Sequence, residues 1–169
     1  PDELNAQAAT LGVSLAGVTL VEPKNSDYLP AFIDELVELR KKKNLTRDQA
    51  IALLTAEDNL YFAAMMVRLG EAGGAVAGAA NTTGDVLRAA FQVVGTAANM
   101  NTVSSVFLMI TNTPEFGENG VLCFADCAVN PNPDAQALAE IAVSTAASCK
   151  SFLGEIGRAS CRERVCHRV

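Results

Sequence analysis

Apolar residues recur at helical spacing through the first half of the chain and predict three consecutive helices. The first covers residues 27–42. Thr46 and Gln49 have the spacing of a capping box and predict a second helix over residues 46–54. A third helix is predicted over residues 55–70. The apolar stripe predicted for the first helix consists of Leu29, Phe32, Ile33, Leu36 and Val37.

Two short apolar runs without helical spacing predict strands. Residues 18–21 form one, and residues 74–79 are small and apolar throughout, as in a parallel strand that is buried on both faces. A helix is predicted to follow over residues 84–94. Strands and helices that alternate in this order imply an α/β fold, with right-handed crossovers and a parallel sheet covered on both faces. The face of the last helix predicted to dock on the sheet consists of Leu87, Ala90, Phe91 and Val94.

Small polar residues after Gly95 separate a second group of apolar runs from the first. Strands are predicted over residues 103–110 and 121–125. Asn132 and Pro133 supply the cap and first-turn signals of a long helix. The predicted apolar face of that helix consists of Leu138, Ile141, Ala142, Thr145 and Cys149.

We expect a domain boundary near Asn99, with residues 1–98 in a first α/β domain and residues 99–154 at the start of a second. The final segment differs from both, because it contains the only histidine and two of the five cysteines and has no apolar periodicity. Residues 155–165 resemble the translation of a sequencing adapter. We therefore expect residues 155–169 to be a non-native tail and leave them out of the fold prediction.

Composition narrows the classes of function. The formal net charge is -6, and no basic patch stands out, which disfavours nucleic-acid binding. No apolar run approaches the ~18 residues of a membrane span, and the first residues do not resemble a signal peptide, so we expect a cytoplasmic protein.

Three cysteines precede the tail, at positions 123, 127 and 149. All three lie in apolar patterns, so we expect them to be reduced and buried. No second cysteine pair and no histidine precedes the tail to complete four metal ligands, so no metal is expected. Because no histidine precedes the tail, the sequence also argues against catalysis by a Ser/His or Cys/His pair.

Residues 78–88, which read G-A-A-N-T-T-G-D-V-L-R, are the strongest candidate for an anion site. Free backbone N–H groups at the start of a helix attract anions, and Thr82, Thr83 and Arg88 add donors. The simpler interpretation is that Thr83 caps the helix and Arg88 is a solvated surface charge. Asp85 in the first turn already compensates the helix dipole and argues against a simple anion hole.

Arg40 continues the apolar stripe of the first helix and is a second candidate cation. From the residues alone, a cation that complements the carboxyl end of the helix dipole is the favoured interpretation.

Several separated blocks together resemble one family. They are residues 78–94, with L-V-E-P at residues 20–23, T-V-S-S-V-F at 102–107 and F-A-D-C-A-V-N-P-N-P at 124–133. This order of blocks is similar to bacterial phosphate acetyltransferases, or phosphotransacetylases. The resemblance implies a three-layer αβα fold with a mostly parallel sheet, in two dehydrogenase-like domains with an active-site cleft between them and usually in a homodimer.

The resemblance also implies the chemistry. Such enzymes interconvert acetyl coenzyme A and phosphate with acetyl phosphate and coenzyme A, with no tightly bound cofactor and no metal. Arg40 matches an arginine implicated in holding coenzyme A. Arg88, Asn81, Thr82 and Thr83 are the expected substrate-binding residues. The family's principal catalytic Ser-Arg pair lies in a segment that this sequence does not contain, so we expect this chain alone to be nearly inactive.

Asp126 is a weak candidate for the cleft wall, and a loop cap is its favoured role. Gly73, Ala98 and Asn99 depart from residues common in the family, and Asn81 replaces a histidine of some relatives. Two alternatives remain open at this stage: a phosphate butyryltransferase, and the non-catalytic regulatory domain of a malic enzyme that binds acetyl coenzyme A.

Overall fold

The computed structural model describes residues 2–97 and 100–154. They divide into two compact units, of which the first ends at Gly95 and the second begins at Thr96. The predicted boundary between residues 98 and 99 and the predicted tail over residues 155–169 lie outside the described residues.

The first unit is built from five α-helices. They are α1 (Asp2–Leu11), α2 (Leu29–Leu39), α3 (Arg47–Leu54), α4 (Leu60–Arg68) and α5 (Thr83–Val93). Short 3₁₀ turns at Pro23–Asn25 and Lys41–Lys43 flank α2. The helices predicted over residues 27–42, 46–54, 55–70 and 84–94 are therefore confirmed, with ends that differ by a few residues.

Local sequence signals explain where α2 and α3 begin. Pro30 lies in the first turn of α2, where its missing N–H costs nothing. The Thr46 hydroxyl accepts a hydrogen bond from the Gln49 amide at 3.2 Å, and the Gln49 side chain accepts one from the Thr46 amide at 3.0 Å. The predicted capping box is thus confirmed, with both contacts present.

The core of this unit lies between α2, α3, α4 and α5. The predicted stripe of α2 is confirmed, since Phe32, Ile33 and Leu36 are buried and Leu29 and Val37 pack against the same cluster. The largest fully buried side chains are Phe32, Leu36, Leu54, Met65 and Val93.

A long polar side chain joins three of these helices. Arg68, at the end of α4, donates from Nε to the Glu35 carboxylate of α2 at 2.9 Å. Its Nη1 donates to the Val93 carbonyl at the end of α5, also at 2.9 Å. The second contact satisfies a carbonyl that α5 itself leaves free at its carboxyl end.

The two strands predicted in this unit are wrong for the described residues. Residues 18–21 and 74–79 take no strand or helix conformation, and the Val76 side chain is fully exposed. The apolar run of residues 74–79 fits a buried strand, but a strand also needs a neighbour to accept and donate its backbone hydrogen bonds. No described segment pairs with either run.

Helix α5 docks through a different face from the one predicted. Ala89 and Val93 are buried and Val86 packs beside them, whereas Phe91 and Val94 are exposed. The helix carries apolar residues on two faces, so spacing alone could not select the one that meets α4. The other face stays largely open in the described structure.

The second unit contains a two-stranded sheet followed by a long helix. Strand β1 (Phe107–Ile110) pairs with β2 (Val121–Phe124), and α6 covers Ala135–Leu153. The pairing is antiparallel, with Phe107 opposite Phe124. The described residues thus mix helix and strand, as an α/β fold does, but this pair is not the parallel arrangement that we predicted.

The cap of α6 also differs from the prediction. Asp134 occupies the N-cap position, and its Oδ1 accepts from the Ala137 amide at 2.8 Å, so Asn132 does not cap the helix. Ile141 and Cys149 of the predicted face are buried, but Leu138 is nearly half exposed.

The prediction of reduced cysteines is wrong for one pair. Cys123 of β2 and Cys149 of α6 form a disulfide, with their Cα atoms 6.7 Å apart. Contact between a strand and a helix 26 residues away along the chain brings them together, which spacing in the sequence does not reveal. Cys127 is free and half-buried.

Replacing Thr46 by alanine tests the capping box. The variant Thr46→Ala leaves an unsatisfied amide at the start of α3 and should lower the free energy of unfolding by about 1 kcal/mol. Thermal unfolding of the full-length protein measures the change, and faster hydrogen exchange at the Gln49 amide locates it. Thr55→Ala is the matched control, because Thr55 donates to the Ile51 carbonyl at the other end of the helix. Equal destabilisation by both variants would contradict the capping role.

Candidate functional site

The start of α5 is organised by a threonine and an aspartate. Thr82 is the N-cap, and its Oγ1 accepts from the Asp85 amide at 3.2 Å and donates to the Asp85 carboxylate at 2.6 Å. Thr83 is the first residue of the helix, so Thr82 and not Thr83 is the cap. Part of the donor capacity at this helix end is therefore used inside the protein.

Arg88 pairs with the same aspartate one turn into the helix. Its Nη1 lies 2.8 Å from Asp85 Oδ1, and the Arg88 side chain is 61% exposed. The hydrogen bond from the Thr82 hydroxyl is the main cause that lowers the pKa of Asp85, the nearby Arg88 charge lowers it further, and desolvation opposes both. Asp85 is therefore a carboxylate at neutral pH and balances both the helix dipole and Arg88.

Asn81 and Thr83 stand on either side of the cap. Asn81 is half-buried and Thr83 is exposed. Neither side chain has a hydrogen-bond partner among the described residues, so both retain their polar atoms for other contacts. The predicted donors at residues 81–83 thus lie together at one helix end.

Arg40 is the C-cap of α2, and its amide donates to the Leu36 carbonyl at 3.0 Å. Its position fits the dipole role favoured from the sequence. The charges of Arg88 and Arg40 both act on Tyr61, where they lower the pKa of the phenol against a larger increase caused by burial.

Asp126 lies in the second unit, in the loop after β2. Its carboxylate accepts from the Ser105 hydroxyl at 2.6 Å and from the Ser105 amide at 3.0 Å. Backbone amides of Ala128, Val129 and Asn130 donate to it as well. Asn130 in turn donates from Nδ2 to the Val103 carbonyl at 2.6 Å.

These contacts give Asp126 the role of a loop cap. Burial would raise the pKa of its carboxyl group, but hydrogen bonds from Ser105, Asn130 and Ala128 outweigh burial and hold the pKa well below its usual range. A carboxylate with so many donors is a poor proton acceptor at neutral pH. The network also ties the T-V-S-S-V-F block to the F-A-D-C-A-V-N-P-N-P block.

A cavity of about 430 Å³ lies in the first unit, but away from the predicted anion donors. Alanine, valine and leucine side chains of α4, α5 and residues 75–77 line it, and residues 81–83 do not. The predicted anion donors at the start of α5 therefore lie outside this cavity. Its apolar lining also lacks the charged groups that a phosphate requires.

Sequence reasoning missed Tyr61, Gln92, Ser105 and Asn130. Ser105 and Asn130 belong to two of the blocks that resemble the family, and an Asx or serine loop signal could have identified them. Tyr61 of α4 and Gln92 of α5 form a hydrogen bond between two helices, and no local sequence pattern predicts that contact.

Neither a metal-binding cluster nor a membrane-spanning helix is found in residues 2–97 and 100–154. No cluster of three or more histidine, cysteine, aspartate or glutamate side chains there has the geometry to hold a metal ion. None of the described helices combines the length and the apolar character that crossing a bilayer demands.

Comparison with known proteins gives consistent matches. The family model described as phosphate acetyl/butaryl transferase matches residues 1–160. A phosphate acetyltransferase of Thermoanaerobacterium thermosaccharolyticum is 46% identical over 153 residues, which are 90% of this chain and 45% of that protein. A phosphate acetyltransferase of Treponema pallidum is 40% identical over 154 residues, which are 90% of this chain and 45% of that protein.

Solved structures agree with the sequence matches. The EutD phosphotransacetylase from Staphylococcus aureus matches with a TM-score of 0.76 and 36% identity, over 89% of this chain and 43% of that one. A phosphotransacetylase from Streptococcus pyogenes also matches with a TM-score of 0.76 and 36% identity, over 89% of this chain and 44% of that one. The chain thus spans less than half the length of these relatives.

Replacing Asp126 by asparagine tests the loop network. Asp126→Asn removes the charge that several donors share, so it should destabilise the second unit by about 1.5 to 3 kcal/mol at neutral pH. Because the folded pKa lies below the unfolded value of about 3.9, the stabilisation is present above that pH and disappears as pH falls through the folded pKa. The difference between wild type and variant should therefore shrink below about pH 4. Thermal unfolding of the full-length protein as a function of pH measures it.

Asp134→Asn is the matched control for this prediction. Asp134 makes one capping contact with its carboxylate, and asparagine caps a helix about as well as aspartate. We expect little change in stability. Equal destabilisation by both substitutions would mean that the Asp126 network contributes nothing beyond an ordinary cap.

Proposed function

Because the chain belongs to the phosphate acetyl/butaryl transferase family, we propose that the full-length protein transfers an acetyl group between coenzyme A and inorganic phosphate. The reaction forms acetyl phosphate and coenzyme A from acetyl coenzyme A and phosphate. The observation that carries the proposal is the family match over residues 1–160, together with relatives named phosphate acetyltransferase at 37 to 46% identity.

The chemistry of this reaction fits the candidate residues. Phosphate attacks the thioester carbonyl, the carbon–sulfur bond breaks, and the thiolate of coenzyme A leaves and takes up a proton. Cations that hold the phosphate and donors that stabilise the oxyanion lower the barrier. We assign the cations to Arg88 and Arg40 and the donors to Asn81, Thr82 and Thr83. As the resemblance implies, we place the catalytic Ser-Arg pair in a part of the full-length protein outside this chain.

The pairing of Arg88 with Asp85 is compatible with a role in phosphate binding. A guanidinium group carries five N–H donors, and the contact with Asp85 engages only Nη1. The remaining donors can bind a phosphate while Asp85 keeps the side chain extended along the helix. Asp85 also repels an anionic ligand at Arg88, so that ligand must gain enough from the free guanidinium donors to offset the repulsion.

The larger architecture is part of the same proposal. It comprises a three-layer αβα fold with a mostly parallel sheet in two dehydrogenase-like domains, one over residues 1–98 and another that starts at residue 99. We propose a cytoplasmic homodimer that binds coenzyme A and phosphate as substrates and holds no tightly bound cofactor. The fold similarity to solved phosphotransacetylases supports this architecture.

An assay with two thioesters tests the reaction. The full-length protein should form acetyl phosphate from acetyl coenzyme A and phosphate, and its kcat/KM for butyryl coenzyme A should be lower. A preference for butyryl coenzyme A would replace the proposal with a phosphate butyryltransferase. Binding of acetyl coenzyme A without turnover would favour the regulatory domain of a malic enzyme instead.

Substitutions of Arg88 test its assignment. Arg88→Ala should cost about 1.5 to 3 kcal/mol of transition-state stabilisation for each charge-assisted hydrogen bond that it removes. For one such bond, kcat/KM should fall roughly tenfold to a hundredfold. Arg88→Lys should recover only part of this, because an ammonium group lacks the planar fork of guanidinium. Steady-state kinetics with both substrates measure the effect.

Arg47→Ala is the matched control. Arg47 is also an exposed arginine paired with an aspartate, Asp34, but it lies on α3 away from the start of α5. Its replacement should leave the kinetics unchanged. Wild-type kinetics in Arg88→Ala would remove Arg88 from the binding site.

A further inference from the structure

Helix α6 is attached to the rest of the second unit differently in its two halves. In the amino half, Glu140 Oε2 accepts from the Thr102 amide at 2.8 Å. In the carboxyl half, Cys149 forms the disulfide with Cys123 of β2. Within the described part of the chain, no hydrogen bond or ion pair joins residues 142–153 to another element. The disulfide is therefore the main attachment of the carboxyl half.

Apolar packing offers little to replace that disulfide. The helix has 19 residues, and only Ile141 and Cys149 are buried. The large apolar side chains of the carboxyl half point outward, since Val143 is 66% exposed and Phe152 is 64% exposed. A reduced Cys149 would remain as a small buried hydrophobe, which by itself holds a helix weakly. Cleavage of the disulfide should therefore release the carboxyl half of α6 from β2.

The two sulfur atoms of the disulfide differ in their access to solvent. Cys149 is only 7% exposed, whereas Cys123 is half-buried. A thiolate from solution therefore reaches Cys123 more readily, and its attack there makes Cys149 the leaving thiolate. Cys127 provides a comparison nearby, because it is also half-buried but belongs to no disulfide. Its thiol donates to the Phe124 carbonyl at 3.0 Å.

We propose that the Cys123–Cys149 disulfide is a redox-reversible cross-link, opened by a dithiol reductant, that controls whether the carboxyl half of α6 is held against β2. This inference rests on the cytoplasmic location proposed above, because disulfides in cytoplasmic proteins are usually transient or redox-sensing. The oxidised state fixes residues 142–153 to the sheet. The reduced state leaves them free to open locally while the contact of Glu140 keeps the amino half in place.

The exchange reaction balances in sulfur, electrons and protons. One thiolate of the dithiol attacks Cys123 Sγ, the bond between the two cysteine sulfurs breaks, and Cys149 leaves as a thiolate that takes up a proton. The second thiolate of the dithiol then attacks the mixed disulfide and releases Cys123. The reductant ends as a cyclic disulfide, having given two electrons and two protons to the two cysteines.

Peptide mapping of the full-length protein tests the reversibility. Excess glutathione disulfide should give a linked peptide pair that contains Cys123 and Cys149, and dithiothreitol should convert it to two peptides that iodoacetamide alkylates. A glutathione buffer at the reducing poise of the cytoplasm should leave most of the pair reduced. A pair that stays linked in that buffer is a permanent structural disulfide and would overturn the inference. A pair that never links would overturn it as well.

Hydrogen exchange tests the effect on α6. Reduction of the wild type with dithiothreitol should accelerate amide exchange in residues 145–153 at least about tenfold and leave α3 unchanged. Cys149→Ser should exchange like the reduced wild type and should not respond to dithiothreitol. Cys123→Ser should behave in the same way while it keeps Cys149 in its buried position, so it separates loss of the cross-link from damage to the core.

Cys127→Ser is the matched control, because it removes a neighbouring thiol and leaves the disulfide intact. It should respond to dithiothreitol as the wild type does. An equal response in Cys149→Ser and the wild type would place the redox effect elsewhere in the protein and overturn the inference. Loss of the response in Cys127→Ser would also overturn it.

An assay of acetyl phosphate formation on the same samples separates this inference from the proposed function. If the linkage and the exchange rates respond reversibly but no acetyl transfer occurs, the proposed function fails and the cross-link is supported. If acetyl transfer occurs but residues 145–153 exchange equally fast before and after reduction, the redox inference fails alone.

Discussion

The burial of α4 between three other helices is the constraint on which the first unit depends. Met65 is fully buried at its centre, and α2, α3 and α5 all pack against it. Apolar burial of this kind packs the helices together, but it does not fix how each helix rotates about its axis or slides along its neighbours. Two polar contacts at α4, from Tyr61 to Gln92 and from Arg68 to the Val93 carbonyl, define them.

Features encoded within a few residues could be predicted from the sequence. The capping box of Thr46 and Gln49, the apolar stripe of α2 and the extent of α5 each depend on spacing within one helix. The candidate residues at positions 81–83 and Arg88 were likewise found from a local pattern, and the structure places them together at one helix end. Their roles in substrate binding stay predictions until kinetics test them.

Features that depend on distant residues could not be predicted in the same way. Residues 74–79 have the composition of a buried strand, but a strand exists only where another segment pairs with it, and none of the described segments does. Helix α5 is apolar on two faces, so its docking face is decided by α4. The Cys123–Cys149 disulfide and the Tyr61–Gln92 contact also join residues that no local rule connects.

The charge balance at the start of α5 bears on which anions the proposed site can bind. Asp85 pairs with Arg88 through a full negative charge, which orders the guanidinium group but reduces the local potential that an incoming phosphate meets. A phosphate carries more charge than a carboxylate and can use the guanidinium donors that Asp85 leaves free. A singly charged ligand gains less beside Asp85, so we expect the proposed site to favour anions with several charges over simple carboxylates.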